Sequence, residues 1–226
     1  QFVPPEQRGE TAPDWAEGIR LTREVCAVAD KPATWVAGAP RGELTGWLEQ
    51  RMAGSRRRRE SLVWFALVAG ASADTGLPVA LTTALCLSRR EVRLAASIPA
   101  CGARLDPLLS AASVAGSQWL SFFREAGEAA PFCLLVAAAG CADDRRDKVA
   151  WLLAQYFART PLAKPDALLT GNDLLGRYPH LSGERVGRLL RLLEEAHADG
   201  LVQTPAQALA FLAGAALVEE DKKVAG

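Results

Sequence analysis

The stretch from Leu168 to Leu212, LLTGNDLLGRYPHLSGERVGRLLRLLEEAHADGLVQTPAQALAFL, contains three helix starts in succession. Thr170 and Asp173 have the spacing of a capping box, in which each residue's side chain satisfies the other's backbone amide, so a short helix is predicted from Gly171. Pro179 ends it, because proline lacks an amide hydrogen and restricts the residue before it. The chain must therefore begin a new helix further on.

The second start is Ser182, a preferred N-cap residue, and one apolar face follows it at helical spacing: Val186, Leu189, Leu190, Leu193 and His197. Gly200 can adopt the left-handed conformation that closes a helix. The third start is Thr204-Pro205, which gives a cap and a proline at the first helical position, with Gln207 completing a capping box. These signals predict a small C-terminal helical subdomain.

The start of the second helix also suggests chemistry. Ser182, Gly183 and Gly187 leave room for a backbone to approach, and free amides at a helix N-terminus attract anions such as phosphate. Four arginines surround this start: Arg177, Arg185, Arg188 and Arg191. The alternative is a solvated face on which these arginines pair with Glu184, Glu194 and Glu195.

The motifs of this stretch resemble the C-terminal end of bacterial poly(A) polymerases and tRNA nucleotidyltransferases. The resemblance covers roughly the last sixty residues and rests on these runs: Gly171-Asn172-Asp173-Leu174-Leu175, Leu181 to Gly187, Leu193-Glu194-Glu195-Ala196, Asp199-Gly200 and Gln207-Ala208-Leu209. Ser182 stands where the family more often has Pro or Gly, and Gln207 stands where Glu is common. The resemblance implies an RNA-binding helical region whose parent enzyme adds nucleotides to RNA 3′ ends with Mg²⁺ and a nucleoside triphosphate.

Composition limits the possible function classes. Half of the 226 residues are hydrophobic and the formal net charge is zero, so the chain is expected to fold around a core, and any nucleic-acid surface must be local. The five cysteines form no CxxC pair, which disfavours a zinc site and a disulfide scaffold. Neither a signal pattern nor a membrane-spanning apolar run is present in the sequence, so we expect a cytoplasmic protein without a membrane partner.

The N-terminal half predicts further helices. Trp15, Ile19, Thr22, Cys26 and Ala29 share one helical face, and Leu44, Trp47, Leu48 and Met52 mark a second helix. The run Arg56-Arg57-Arg58-Arg59 is the densest charge on the chain and is a second candidate RNA-binding site, since guanidinium matches phosphate geometry. The alternative for this run is a solvated turn between helices.

Ser61 to Ala71, SLVWFALVAGA, is apolar on every side and is predicted to be a central buried helix. The family resemblance gives this segment a second meaning, because relatives often carry there the A-L-L-H-D-I-G-K-type metal signature of HD phosphohydrolases. Val68, Ala69 and Gly70 occupy those positions here, and the only histidines are His180 and His197. No metal site is therefore predicted.

Downstream, Ser88 and Glu91 form a capping box, and Asp106-Pro107 has the pattern of a further helix start. Short helices are predicted over 117–127, 131–139 and 147–159, and no segment alternates with period two. The expected fold is all-α, an irregular multi-helix bundle or array. Two prolines between Arg159 and Pro165 place the domain boundary, giving a helical body with a degenerate HD-like region over 1–160 and a helical tail over 161–226.

The sequence lacks catalytic motifs: it has no glycine-rich nucleotidyltransferase strand, Walker A loop or nucleophile elbow. We therefore assign no catalytic residue and no cofactor to this chain. The favoured hypothesis is an RNA-binding C-terminal region, binding tRNA or an RNA 3′ end through the backbone, whose partner is an N-terminal catalytic head absent from this sequence. The competing hypothesis is a non-catalytic all-α protein-interaction module of degenerate HD ancestry.

Overall fold

A computed structural model of the chain describes residues 15–31, 41–52, 56–71, 85–159, 168–179 and 181–224. These residues form α-helices joined by turns and contain no β-strand, apart from an isolated antiparallel bridge between Arg51 and Arg57. The all-α prediction is confirmed. In the part of the chain that the structure describes, no helix is both long enough and apolar enough to cross a bilayer.

The helices follow one another along the chain in this order: α1 (Trp15–Asp30), α2 (Arg41–Glu49), α3 (Arg58–Ala71), α4 (Arg89–Ser110), α5 (Gly116–Ala126), a short 3-10 turn (Gly127–Ala129), α6 (Ala130–Gly140), α7 (Asp143–Arg159), α8 (Gly171–Arg177), α9 (Gly183–Ala198) and α10 (Pro205–Val224). They belong to two compact units. The first comprises Gln1–Ala111 and Phe122–Thr160, and the second comprises Ala112–Ser121 and Pro161–Gly226. The predicted boundary after residue 160 lies outside the described residues.

Helix α6 is the centre of the first unit. Its sequence, APFCLLVAAAG, has no charged residue, and nearly every side chain is buried. Phe132 is the main packing partner, because its ring lies 4.7 Å from that of Trp47 on α2 and 4.9 Å from that of Phe65 on α3. A helix that is apolar all round is stable only when it is surrounded by other elements.

The prediction of a central buried helix at Ser61 to Ala71 holds for one side of α3. Leu62, Phe65 and Ala66 are fully buried, whereas Trp64 and Leu67 are only half-buried, so α3 covers one side of α6. Helix α1 also differs from its predicted face, since Leu21, Val25 and Val28 are buried while Ile19 is 48% exposed. Apolar residues are present on more than one side of both helices, and the sequence alone does not show which side meets a neighbour.

Helices α1 and α3 approach each other at two glycines. A Cβ atom added to Gly70 would lie 2.6 Å from the Cα atom of Gly18 and 2.9 Å from its nitrogen. Real Cβ atoms do not come so close to backbone, so this helix pair depends on the absence of a side chain at Gly70.

Helix α4 runs without interruption through Pro99 and Pro107. The predicted capping box at its start is present, with Ser88 as the N-cap residue and Glu91 as its partner. The predicted new start at Asp106-Pro107 was wrong. The Ala111 amide, one turn past Pro107, donates to the Pro107 carbonyl, so the helical pattern continues to the C-cap. Because proline has no amide hydrogen, the carbonyl of Ala103, an exposed residue, is left for solvent.

The second unit follows its sequence signals closely. Thr170 and Asp173 form the expected capping box, Ser182 caps α9, and Gln207 Oε1 accepts from the Thr204 amide at 3.2 Å. Gly200 has a φ of +77°, as the helix stop requires. The helices enclose a core made of Leu169, Leu174, Val186, Leu189, Leu193, Ala196, Val202, Ala208 and Leu212. His197 does not belong to this core, since its Nδ1 lies 2.7 Å from the Val202 carbonyl oxygen and Ala196 is the buried residue instead.

Replacing Gly70 with alanine should destabilise the protein by roughly 1–3 kcal/mol or more, because the new methyl group meets backbone that has no rotamer to change. Gly46→Ala on α2 is the matched control, since its Cβ would have no atom within 4 Å. That control should be neutral or stabilising by up to about 1 kcal/mol. Urea unfolding of the two variants tests this expectation, and a Gly70→Ala variant as stable as the control would contradict it.

Candidate nucleic-acid interface

The predicted site residues lie in different units. Arg177, Ser182, Gly183, Arg185, Gly187 and Arg188 belong to the second unit, and the arginines at positions 56–59 belong to the first.

The tail candidates are arranged around the start of α9. The Ser182 side chain accepts a hydrogen bond from the Arg185 amide at 3.4 Å, which satisfies one of the free amides of the first turn. Gly183 is exposed, and a Cβ atom at Gly183 or Gly187 would have no neighbour within 4 Å. The surface over this first turn is therefore open, and neither glycine is needed for helix packing.

The tail arginines differ in whether their side chains already have a hydrogen-bond or ion-pair partner. Arg177 and Arg188 are exposed and form no hydrogen bond or ion pair with any residue that the structure describes. Arg185 is half-buried and has a partner, and Arg191 Nε donates to the Gly187 carbonyl at 3.4 Å. Within the described ranges, the expected pairing of Arg188 with Glu184 one turn earlier is not formed. Two guanidinium groups in this region are therefore available to an anion.

The arginines at positions 56–59 are all engaged within the first unit. Arg57 pairs with Glu49, and Arg59 pairs with both Asp30 and Glu49. The Arg58 guanidinium lies over the Trp47 ring, 4.8 Å from its centroid, and donates to Gln50 Oε1 at 2.7 Å. These contacts join the start of α3 to α1 and α2, so every arginine of the run has a partner within the first unit. Its binding to RNA stays a prediction.

Arg56 has the most buried partner of the four. Its Nη1 lies 2.9 Å from Oε1 of Glu91, whose side chain is only 3% exposed, and its Nη2 donates to the Leu85 carbonyl at 3.1 Å. The same carboxylate accepts from the Ser61 hydroxyl at 2.8 Å and from the Ser88 amide at 2.8 Å. One buried charge thus joins the starts of α3 and α4. The sequence identified Glu91 as a capping residue, but it carried no signal for the partner 35 residues away.

Electrostatics agree with this arrangement. Burial by itself raises the pKa of the Glu91 carboxyl, but hydrogen bonds from the Ser88 amide, Arg56 and Ser61 outweigh it, and the pKa of Glu91 lies below the ordinary 4.5. Glu91 is therefore a carboxylate at neutral pH. It therefore balances the charge of Arg56.

The segment that would carry an HD-type metal site cannot do so here. Val68 is buried, Ala69 is half-buried, and Gly70 packs against Gly18, and none of the three side chains carries a donor atom for a metal. Among the described residues, no three His, Cys, Asp or Glu side chains lie close enough together to hold a metal ion. The residues present do not fit the metal of the HD signature.

A pair of thiols lies nearby in the first unit. Cys101 on α4 and Cys133 on α6 are both buried, and a hydrogen bond from Cys133 lowers the pKa of Cys101. The same hydrogen bond raises the pKa of the Cys133 thiol, which donates it. Cys86, in contrast, is exposed, so the expectation of buried cysteines holds only for some of the five.

Comparison with known proteins gives one relationship. Over 125 residues, which are 55% of this chain, the sequence is 30% identical to a CC-adding tRNA nucleotidyltransferase from a Synechocystis strain, and the match covers 30% of that protein. The chain thus spans about a third of this curated relative. No family profile matches the chain, and no solved structure matches it. The similarity supports a nucleotidyltransferase-related family, as the C-terminal motifs implied.

Replacing Glu91 with glutamine should destabilise the protein by about 3 kcal/mol at pH 7, because the half-buried Arg56 loses its counter-ion. The folded-state pKa of Glu91 is depressed, so its contribution is present above the unfolded value near 4.5 and is lost as the pH falls through the folded value. The difference between wild type and variant should therefore shrink below pH 4.5.

Denaturant titrations at pH 7 and pH 3 measure the difference in the free energy of unfolding between the wild type and the Glu91→Gln variant. Glu125→Gln is the matched control, because its pair with Arg104 is exposed on both sides and should contribute about 1 kcal/mol or less. A Glu91→Gln variant with the stability of this control would show that the buried pair contributes nothing.

Proposed function

We propose that this chain is the RNA-binding helical region of a tRNA nucleotidyltransferase or poly(A) polymerase, whose parent protein adds nucleotides to RNA 3′ ends. The observation that carries the proposal is the similarity to a CC-adding enzyme over more than half of the chain. Two arginines that are unpaired among the described residues, Arg177 at the end of α8 and Arg188 in the second turn of α9, together with the open first turn of α9, supply groups of suitable chemistry.

Binding at this surface would be directed at the RNA backbone. A guanidinium donates two parallel hydrogen bonds to phosphate oxygens, and this contact reads no base. The open first turn of α9 lets a phosphate approach the remaining helix amides, which carry partial positive charge. Because the whole chain has zero net charge, RNA is attracted only by the charges close to the site. Chemistry would be performed by the catalytic head of the parent, with Mg²⁺ and a nucleoside triphosphate, in a cytoplasmic setting.

A protein-interaction module is the second candidate function. It is favoured by exposed leucines of the second unit, namely Leu175 at 40%, Leu192 at 39% and Leu201 at 70% exposure. Aliphatic side chains of this size are typical of protein interfaces when they form a patch. Loss of RNA binding in an Arg177/Arg188 variant would favour the first function, and an RNA affinity indistinguishable from zero in the wild type would favour the second.

Replacing both Arg177 and Arg188 with alanine should weaken tRNA binding about tenfold and reduce the slope of log K against log salt by roughly 1.4 to 1.8, since two phosphate contacts are removed. The loss should be similar for RNAs of different sequence. Arg23→Ala with Arg41→Ala removes the same charge from exposed positions in the first unit and serves as the control. Filter binding at several salt concentrations measures both quantities, with folding checked by circular dichroism.

The 226-residue chain by itself should transfer no nucleotide, because no carboxylate pair stands in a recognisable metal-binding strand. The measurement is incorporation of labelled CTP or ATP into tRNA by the purified chain in Mg²⁺. Incorporation above the level of a heat-inactivated sample would refute this expectation.

A further inference from the structure

The first two turns of α4 present arginines that the sequence analysis did not single out. Arg89 and Arg93 are exposed, and neither forms a hydrogen bond or ion pair within the part of the chain that the structure describes. Arg90 between them is held by both oxygens of Glu128. Because Arg89 and Arg93 are four residues apart, they lie on the same side of the helix.

The carboxylates near these two arginines are already paired with other residues. Glu91 faces the interior and is saturated by Arg56, Ser61 and the Ser88 amide. Glu128 is paired with Arg90, and Arg93 acts on it only through the longer-range field. Arg58 belongs to the same neighbourhood, since the charge of Arg90 opposes its own. The local balance is therefore strongly positive, although the whole chain is neutral.

The two arginines border a depression in the surface. Leu87, Arg89, Val92 and Arg93 line an open cavity of about 570 Å³. Leu87 and Val92 are half-buried, so the cavity has aliphatic walls beside its two cations. A cation pair beside apolar side chains matches a nucleotide, which has a charged phosphate and a flat base with apolar faces.

The chain that forms this cavity is held rigidly. Arg56 donates to the Leu85 carbonyl, and the Ser88–Glu91 capping box fixes the first turn of α4. Between them Cys86 has a φ of +50°, a conformation that costs energy for a residue with a side chain. The backbone of this surface therefore loses little conformational entropy when it binds a ligand, and the entropic cost falls on the arginine side chains.

We propose that Leu87, Arg89, Val92 and Arg93 form a binding site for one nucleotide unit of single-stranded RNA. Arg89 and Arg93 bind the phosphate, and the base lies against the side chains of Leu87 and Val92. The site is separate from the tail arginines, and it rests on the proposed RNA-binding function.

The test is fluorescence anisotropy with a labelled 12-nucleotide single-stranded RNA and the full 226-residue chain. The Arg89→Ala, Arg93→Ala variant should bind about tenfold more weakly than wild type and show a salt slope smaller by roughly 1.4, the value for two phosphates of a single strand. Arg23→Ala with Arg41→Ala is again the matched control. All four side chains are exposed, and thermal melts verify that every variant folds.

A second variant keeps the charge. Arg89→Lys with Arg93→Lys should retain most of the salt slope while losing affinity, because lysine supplies the charge without the planar fork. Val92→Ser should weaken binding a few-fold at unchanged slope, since it alters only the aliphatic wall. An unchanged affinity in the Arg89→Ala, Arg93→Ala variant, with the tail variant still impaired, would overturn this inference and leave the proposed function standing.

Two further outcomes are decisive. Absence of RNA binding by the wild type would remove the proposed function together with this site. Competition by polyglutamate as effective as competition by RNA would show an acidic protein surface to be the partner and would also overturn the assignment.

Discussion

The buried carboxylate of Glu91 is the interaction on which the first unit depends. It receives hydrogen bonds from Arg56, from the Ser61 hydroxyl of α3 and from the Ser88 amide that begins α4. A charge that is 3% exposed is tolerated only when all its partners are present, so the positions of two helix starts and one turn are fixed together. Because Arg56 pairs with Glu91, it is the arginine of positions 56–59 that faces a buried carboxylate.

The division of the arginines into two classes follows from that constraint. Positions 56–59 bind Glu91, Glu49, Gln50 and Asp30, and they connect helices to one another. Arg89 and Arg93, and in the second unit Arg177 and Arg188, have no such partner among the described residues. Charge density in the sequence is thus a poor guide to charge available for binding. The arginines of the densest run all have partners among the described residues, whereas Arg89, Arg93, Arg177 and Arg188 do not.

Local signals predicted local structure well. The capping boxes at Thr170, Ser88 and Thr204, the N-cap at Ser182 and the glycine stop at Gly200 depend on residues within one turn, and the structure has all of them. The errors concern long-range packing. No pattern within α1 or α3 indicates that Ile19 is exposed, that α6 is the central helix, or that Arg56 reaches Glu91. The candidate site was predictable only in the tail, where the arginines flank a helix start. Finding Arg89 and Arg93 required knowing which carboxylates were already paired.

The contact between Gly18 and Gly70 limits what the first unit can hold at position 70. A Cβ atom at position 70 would meet the backbone of Gly18, so any side chain there, a histidine or aspartate included, requires α1 and α3 to move apart. The metal ligands of the HD signature therefore cannot be introduced at position 70 by a side-chain change alone, because the spacing of two helices would have to change with them.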